Sequence, residues 1–346
     1  MGQTTNYSRY KTLFSLLAVA LLLWRAAGAM ELTKFPWDGY FNSPDGYVTQ
    51  VIAGGPTDRA GLKVGDVVTK QDGIALENTK AWIEHGRTAI GSAGNVTVKR
   101  NGTEQTLNFT YEGWPTSNLI FGPGSGMLFS LAFLLLGLLV YLKNPTRLST
   151  TFCALGLLFA FFGVSPYFAS PTLRLLVSAI SILLIGVAIA LLLDYCLHYP
   201  GAKRILTERP WLRRVIYIIA PALSLLMAAI NLTTPDTIGN RSMVFSVLVP
   251  LIFGGYILLS VIAVLHSYLK AGAEERNATG LNLMLMGMVI GFGPTLISLL
   301  AHALNPHMGD LPGERFWGIT MLAVPIGLAR ALMKLEPAPA IGRDTA

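Results

Sequence analysis

Eight long apolar runs constrain the fold of this chain more than any other feature of its sequence. They cover approximately residues 12–30, 118–142, 149–168, 173–196, 214–232, 243–268, 280–303 and 316–334. A helix needs about 20 apolar residues to cross the hydrocarbon core of a bilayer, and backbone groups in lipid must pair within their own segment. The sequence therefore predicts an all-α membrane bundle of seven transmembrane helices, preceded by an N-terminal anchor or signal.

The charged residues are unevenly distributed along the chain. Only 13% of the residues are charged, against about 25% in ordinary soluble proteins, and residues 31–115 are the one long stretch of soluble composition. This contrast predicts four parts: a signal anchor or signal peptide at 1–30, a small α+β domain at 31–115, a seven-helix bundle at 116–334 and a short tail at 335–346.

Lysine and arginine positions predict the orientation of the helices. If the N-terminus is cytoplasmic, the inner segments hold 14 of these cations, and the short outer loops hold only Arg174, Arg241 and Arg315. Cytoplasmic loops of membrane proteins carry such an excess. We therefore expect residues 31–115 outside the cytoplasm of a bacterial inner membrane and the C-terminus inside. The net charge of +7 then reflects topology and does not indicate a nucleic-acid partner.

The first apolar run allows two interpretations. A basic segment with Arg9 and Lys11 precedes it, and Ala27-Gly28-Ala29 resembles a small-residue cleavage site. Arg25 interrupts the run, which weakens it as a full span. A retained anchor and a cleaved signal peptide both place residues 31–115 outside the cytoplasm.

The small domain contains a series of turn signals at fixed spacing. Strand-like runs at 48–52 and 67–70 alternate with the glycine-containing turns Gly54-Gly55-Pro56, Gly65-Asp66 and Asp72-Gly73, and Asn101-Gly102 predicts a hairpin. Asn78 or Thr79 is expected to cap a helix that runs to about Ile90. The series from Gly55-Pro56 through Ala60-Gly61-Leu62 and Gly65-Asp66 to Asp72-Gly73 resembles bacterial PDZ domains, with Thr57-Asp58 in place of the usual small pair.

This resemblance implies that the domain binds a peptide or protein segment as an added strand. The loop that holds the ligand carboxylate in that family corresponds best to Trp37-Asp38-Gly39-Tyr40, where Asp38 would repel a carboxylate. We therefore expect an internal peptide segment or a contact within the chain as an alternative to a C-terminus. Val48 lies on the neighbouring strand, and Trp82, Ile83 and Ile90 would line the helix wall of the groove or form plain core.

Neither part of the chain carries a recognisable catalytic, cofactor or metal motif. The two cysteines, Cys153 and Cys196, lie in or beside apolar runs, where buried structural roles are usual. The zinc signature H-E-x-x-H is absent. Asp194, His198 and Arg174 lie near span ends, and ionisable groups in the middle of a span would be needed to mark a transport path. The sequence therefore predicts neither an enzyme nor an ion-coupled transporter.

The inner end of the fourth apolar run carries a second resemblance. Asp194 to Pro200, with His198, is followed by Arg209-Pro210-Trp211-Leu212-Arg213-Arg214 and Tyr217. This loop, with the stretch Val324–Arg330, resembles the membrane sensor module of quorum-sensing-type histidine kinases, some of which carry a PDZ-like domain after the first span. The resemblance implies a signalling loop containing His198, Pro200, Arg209, Arg213 and Arg214. No kinase follows in this sequence, so the output protein is expected to be a separate cytoplasmic partner.

Two functions remain open from the sequence. The first is a membrane sensor whose exported domain binds a peptide and signals through the bundle. The second is a scaffold that recruits envelope proteins through the same domain. Membrane lipid is an expected partner of both, and a transporter or an unrecognised membrane enzyme is a weaker alternative.

Overall fold

A computed structural model of the protein describes residues 7–43, 45–162, 164–233 and 248–335. Helix α1, Lys11–Leu32, leads into a small domain that contains eight strands and two short helices. These are β1 Pro36–Trp37, β2 Tyr40–Asn42, β3 Val48–Val51, α2 Pro56–Arg59, β4 Val67–Gln71, β5 Ile74–Ala75, α3 Thr79–His85, β6 Ala93–Arg100, β7 Thr103–Thr110 and β8 Glu112–Gly113.

The strands of the small domain form one antiparallel sheet in the order β5-β4-β6-β7 and two short antiparallel pairs, β2-β3 and β1-β8. The predicted hairpin is confirmed, because Asn101 and Gly102 connect β6 and β7 with φ of 51° and 81°. The core is built from apolar side chains of the sheet and its flanking segments. Its buried members are Tyr40, Val48, Leu62, Val68, Val96, Val98, Phe109 and Tyr111.

The described residues that follow the small domain are mainly helical. Its elements are α4 Thr116–Leu119, a π-helical turn Ile120–Gly124, α5 Ser125–Lys143, α6 Arg147–Phe161, α7 Pro171–His198, α8 Arg204–Glu208, α9 Trp211–Thr233, a π-helical turn Pro250–Gly254, α10 Gly255–Lys270, α11 Ala273–Thr279, α12 Leu281–Leu304, α13 Glu314–Thr320 and α14 Ala323–Lys334. Residues 243–247 of the sixth predicted span, Arg241, and residues 336–346 of the predicted tail lie outside the described residues.

In the described part of the chain, seven helices are long and apolar enough to cross a membrane, and α1 is one of them. The other six follow it, and the predicted span 149–168 corresponds to the shorter apolar helix α6. Helix α6 has 15 residues, roughly 22 Å of length, and ends at Phe161. Proline disfavours helical backbone in the residue before it, so Pro166 prevents α6 from continuing through the rest of the predicted run.

Helix α6 nevertheless returns to the small domain. It packs antiparallel against α5, and the segment that follows it, Ser165–Phe168, lines a cavity together with residues of the small domain. An extended segment advances about 3.3 Å per residue and a helix only 1.5 Å. The segment therefore makes up the length that the short helix lacks.

Arg25, which interrupts the first apolar run, has a structural role in the bundle. The residue is buried, and its Nη1 donates hydrogen bonds to the carbonyl oxygens of Phe162 at 3.0 Å and Val164 at 3.2 Å. Carbonyl groups at the end of a helix lack helical partners, so the guanidinium satisfies groups that follow α6. Gly28 lies against the same segment, because a Cβ there would be 2.3 Å from the Val164 oxygen. These contacts join α1 to the segment that follows α6.

The basic residues of the predicted inner loops lie at the end of the bundle remote from the small domain. Contacts among the helix ends establish this arrangement: the Phe14 ring lies 5.1 Å from the Tyr141 ring, the Tyr199 hydroxyl donates to the Thr279 carbonyl, and Lys334 Nζ donates to the Asn277 carbonyl at 3.2 Å. The opposite helix ends, at Arg174 and in the segment after α12, contact the small domain. We call these the basic end and the domain end.

Close approach of α12 and α14 depends on small residues, as the Gly287 and Gly291 spacing predicts. A Cβ at Gly287 would lie 2.5 Å from the Ala323 oxygen and 3.0 Å from the Gly327 Cα. These atoms are backbone and cannot rotate away. The two helices must therefore separate to admit any side chain at this position.

We expect Gly287→Leu to prevent α12 and α14 from packing and to abolish most of the folded protein. Size-exclusion chromatography of the detergent-solubilised protein would show this as a loss of the monodisperse peak. Gly293→Ala is the matched control, because a Cβ at Gly293 meets no atom within 4 Å. Equal profiles for the two variants would contradict the packing described.

A buried ion pair stabilises the small domain. Asp66 is 2% exposed, and its Oδ1 and Oδ2 accept hydrogen bonds from Arg100 Nε at 2.6 Å and Nη2 at 2.5 Å. The Lys63 amide donates to the same carboxylate at 2.9 Å. Burial raises the pKa of Asp66, but the bonds from Arg100 and Lys63 outweigh it and hold the pKa below its ordinary value.

A carboxyl group whose pKa is lower in the folded state stabilises the fold above its unfolded pKa, near 4, and this stability is lost as the pH falls through the folded pKa. We expect Asp66→Asn to lower the free energy of unfolding of the small domain by about 2 kcal/mol at neutral pH, and the difference to shrink below pH 4. Pulse proteolysis of the full-length protein in urea measures both effects. Glu104→Gln, at an exposed carboxylate on β7, is expected to change neither.

Candidate functional site

The predicted peptide groove lies where the small domain meets the bundle. Strand β2 pairs only with β3 among the described strands, so its other edge carries no strand partner. Next to this region, a cavity of about 520 Å³ is lined by Asp38, Gln71, Trp82 and Ile83 of the small domain, and by Ser165–Phe168 and Arg174 of the bundle. The bundle thus forms one wall of the predicted site.

The sequence-predicted loop residues have different environments. Trp37 and Tyr40 are buried, and Gly39 has a φ of +93°, which favours glycine. Asp38 lines the cavity with a half-buried carboxyl group. Val48 is fully buried in the core and does not line the cavity.

The carboxylate of Asp38 occupies the donors of its own loop. Gln71 Nε2 donates to Oδ2 at 3.0 Å, and the backbone amides of Tyr40, Asp38 and Gly39 also interact with it. Burial raises the pKa of Asp38 above its ordinary value, although these hydrogen bonds oppose the shift. The Asp38 carboxyl group therefore lies beside the loop amides that a peptide carboxylate would need.

A hydrogen-bonded network fixes Gln71 beside Asp38. The Tyr40 hydroxyl donates to Gln71 Oε1 at 3.0 Å, and Gln71 Nε2 also donates to the Tyr111 oxygen at 2.9 Å. The Tyr111 hydroxyl in turn donates to Asp72 Oδ2 at 2.7 Å. Because each member is held by the next, the position of the Asp38 carboxylate is set by the folded domain.

Helix α3 forms the other wall of the groove and is shorter than expected. The Asn78 side chain caps it by accepting from the Ala81 amide at 2.8 Å. It ends at His85 and not near Ile90, because Gly86 takes a φ of +84°. Trp82 and Ile83 line the cavity, whereas Ile90 lies beyond the helix, is 44% exposed and does not line it.

Arg174 connects α3 to the bundle. Its Nε donates to the Ile83 carbonyl at 2.7 Å and its Nη2 to the Glu84 carbonyl at 2.6 Å. Its Nη1 donates to the carbonyls of Phe168 at 2.7 Å and Ala169 at 2.8 Å. One guanidinium at the start of α7 thus joins the end of α3 to the segment after α6. Its positive charge lies at the C-terminus of α3, where a cation is favourable. We call this contact the Arg174 clasp.

Two further contacts hold the small domain on the bundle. Arg87 pairs with Glu31 at the end of α1, and its guanidinium lies 4.6 Å from the Tyr167 ring. On another side, His307 Nε2 and Asp45 Oδ2 are 2.6 Å apart, and the His307 ring stacks on Tyr47 at 4.4 Å. Sequence reasoning missed these partners, since each pair joins segments whose separation in the chain gives no local signal.

A second cavity continues from the groove into the bundle. It has a volume of about 720 Å³, is almost wholly apolar, and shares Phe35 and Ser165 with the wall of the groove cavity. Phe129, Phe159 and Phe292 line its interior. A displacement of the segment after α6 would therefore alter both cavities.

The predicted signalling loop lies at the basic end, and the structure brings only part of it together. Asp194 is 3% exposed and accepts from Arg213 Nε at 3.1 Å and the Tyr217 hydroxyl at 3.1 Å. His198 Nδ1 lies 3.3 Å from Asp194 Oδ1. Pro200 and Arg209 line a separate cleft, and Arg214 is exposed.

Comparison with known proteins identifies the small domain. Residues 37–110 match the family model described as the PDZ domain. None of the curated proteins matches the chain. The matched residues contain β2, α3 and the loop around Asp38, and PDZ domains bind peptide or protein segments. The chain therefore contains a PDZ domain, which its fold joins to a set of long apolar helices.

Proposed function

We propose that this protein is a membrane sensor whose exported PDZ domain binds an internal segment of a peptide or protein. Occupancy would be transmitted through the bundle to a separate cytoplasmic partner at the basic end. The observation that carries the proposal is the Arg174 clasp, because it ties the wall of the peptide groove directly to two bundle segments. The proposal assigns no catalytic step and no cofactor to the chain.

The predicted mode of binding is strand addition at the edge of β2 that faces away from β3. Backbone hydrogen bonds would supply affinity, and alternate side chains of the peptide would enter the space beside Trp82 and Ile83. The Asp38 carboxylate engages the loop amides and would repel a terminal carboxylate. These two features support an internal segment as the ligand.

The distribution of charge supports insertion in a bacterial inner membrane. The basic residues gather at the end of the bundle opposite the PDZ domain, as the positive-inside rule requires for a cytoplasmic end. This arrangement supports an extracytoplasmic PDZ domain and a cytoplasmic C-terminus.

The contacts between domain and bundle favour a sensor over a scaffold. A scaffold needs only a tether that presents its binding domain, whereas here Arg174, Arg87 and His307 hold the domain in one position. A ligand that binds the undocked and docked arrangements with different affinity would shift their populations. The segment Ser165–Phe168, which lines the groove, would carry that shift to α6 and α7.

Peptide binding by the full-length protein in nanodiscs tests the first part of this proposal. Fluorescence anisotropy would be measured with a library of ten-residue peptides, each with a free carboxylate and as the amide. We expect saturable binding that amidation does not change, and weaker binding in Ile83→Lys. Val64→Lys is the matched control, since Val64 is 60% exposed and lies outside the groove.

Two outcomes would contradict the proposal. If no peptide of either form binds, the domain does not act as a peptide receptor in this protein. If binding requires the free carboxylate, the role given to Asp38 is wrong and the ligand is a C-terminus.

A further inference from the structure

A large cleft opens at the basic end of the bundle, away from the peptide groove. It has a volume of about 1000 Å³ and lies between the segment after α7, α8, the start of α9, and the end of α10. Its apolar floor consists of Leu193, Leu197, Leu212, Ile216, Leu259 and Ile262. Leu259 and Ile262 are 51% and 48% exposed, whereas Leu193 and Ile216 are buried, so only the part of the floor on α10 is open.

The rim of the cleft is basic. Lys203, Arg204, Arg209 and Lys270 line it together with His266, against two carboxylates, Glu208 and Glu275. Arg204 Nε is bonded to Glu208 at 2.5 Å, so these two charges offset each other. No carboxylate of the described residues forms an ion pair with Lys203, Arg209 or Lys270.

Lys203 and Lys270 line the same cleft, and the charge of Lys270 affects Lys203. Lys203 Nζ donates to the Ser267 hydroxyl on α10, three residues before Lys270. Burial lowers the pKa of Lys203, and the positive charge of Lys270 lowers it further. A cation that is half-buried beside another cation is stabilised by any anion that enters between them.

Apolar floor and basic rim together fit one kind of molecule. A free phosphate would neutralise the rim and leave the apolar floor exposed. An uncharged lipid would cover the floor and leave the lysines unpaired. An amphiphile with an anionic headgroup satisfies both, and basic pockets between helices on the cytoplasmic side of membrane proteins bind such headgroups.

We propose that this cleft is a binding site for an anionic phospholipid, whose headgroup lies between Lys203 and Lys270 and whose acyl chain covers Leu259 and Ile262. The site is separate from the peptide groove and does not depend on peptide binding. Pro200 and Arg209, expected from the sequence to belong to a signalling loop, are then part of a lipid site.

Native mass spectrometry of the full-length protein in lipid-free detergent tests the proposal. Phosphatidylglycerol and phosphatidylcholine of equal chain length would be titrated separately. We expect phosphatidylglycerol to bind at least about tenfold more tightly, since one lost charge-assisted contact is worth roughly this factor. The preference is expected to fall below about threefold in the double variant Lys203→Gln, Lys270→Gln.

Two other variants separate the parts of the site. Lys143→Gln removes an exposed cation at the same end of the bundle, outside the cleft, and is expected to leave the preference unchanged. Gly201→Trp places a large side chain in open space at the cleft, because a Cβ there meets no atom within 4 Å, and is expected to reduce phosphatidylglycerol binding at least fivefold. Size-exclusion profiles matching the wild type would show that the variants fold.

Three results would overturn the assignment. Equal binding of the two lipids would show that the rim does not select a headgroup. An unchanged preference in the double lysine variant would place lipid selection elsewhere. Displacement of bound phosphatidylglycerol by 10 millimolar inorganic phosphate, on the order of a weak-anion Kd, would identify a free-phosphate site.

Discussion

Arg174→Ala is expected to release α3 of the PDZ domain from the bundle without unfolding the domain. The variant removes two hydrogen bonds from a cation to the carbonyls of Ile83 and Glu84 and two to the segment after α6. Hydrogen bonds to charged groups are worth about 1.5 kcal/mol or more each. Hydrogen exchange at α3 and at residues 165–170 should therefore become about 100-fold faster, whereas exchange at β6 and β7 should stay unchanged.

Two further variants separate the clasp from a general effect of charge. Arg315→Ala removes an outer arginine of the domain end whose guanidinium lies over the Phe316 ring at 4.6 Å, and it should leave exchange at α3 unaltered. Arg174→Lys keeps the charge but loses the planar fork, so it should give an intermediate rate. Faster exchange throughout β6 and β7 in Arg174→Ala would mean that the domain unfolds, and would contradict the clasp.

Asp38→Ala is expected to create a preference for peptides with a free carboxylate. In the wild-type protein the Asp38 carboxylate engages the amides of Gly39 and Tyr40 and repels a second anion. Removing it frees these donors, and Gln71 remains held by Tyr40 and Tyr111. A free-acid peptide should then bind at least about tenfold more tightly than its amide, the factor that corresponds to 1.4 kcal/mol.

The measurement for Asp38→Ala is the paired anisotropy titration of the full-length protein. Glu104→Ala makes the same change in net charge on the exposed side of β7 and should create no such preference. If both variants gain equally for free acids, the effect is one of total charge. If Asp38→Ala gains nothing, the loop amides are not a carboxylate site.

Much of the PDZ domain was predictable because its signals are local. Asn101-Gly102 requires positive φ at two successive residues, and this combination identifies a hairpin without knowledge of the rest of the fold. The cap of α3 was also predictable, since the Asn78 side chain accepts a hydrogen bond from an amide three residues away. The glycines of α12 were also informative, because two helices can pack closely only where their facing residues are small.

Contacts between distant segments were not predictable in the same way. Arg174 and Ile83 are 91 positions apart, and an arginine at the start of an apolar helix is equally consistent with exposure to water. Arg25 was interpreted as a weakness of the first span, and only the position of α6 reveals the carbonyls that it satisfies. The apolar composition of residues 162–168 suggested a longer α6, but Pro166 prevents the helix from continuing through them. Ile90 was predicted to lie on α3, but Gly86 ends the helix by adopting a positive φ, which the sequence alone does not reveal.

In the proposed sensor, occupancy of the PDZ domain changes the basic end of the bundle. Spin labels at Thr207→Cys and Glu274→Cys, two exposed positions of the basic end, would report on it by pulsed electron paramagnetic resonance, because the two native cysteines are buried. With a peptide that binds the full-length protein, we expect a shifted distance distribution in the wild type and an unshifted distribution in Arg174→Ala. An unchanged distance distribution in the wild type at saturating peptide would contradict this coupling and would leave the PDZ domain as a recruiting module.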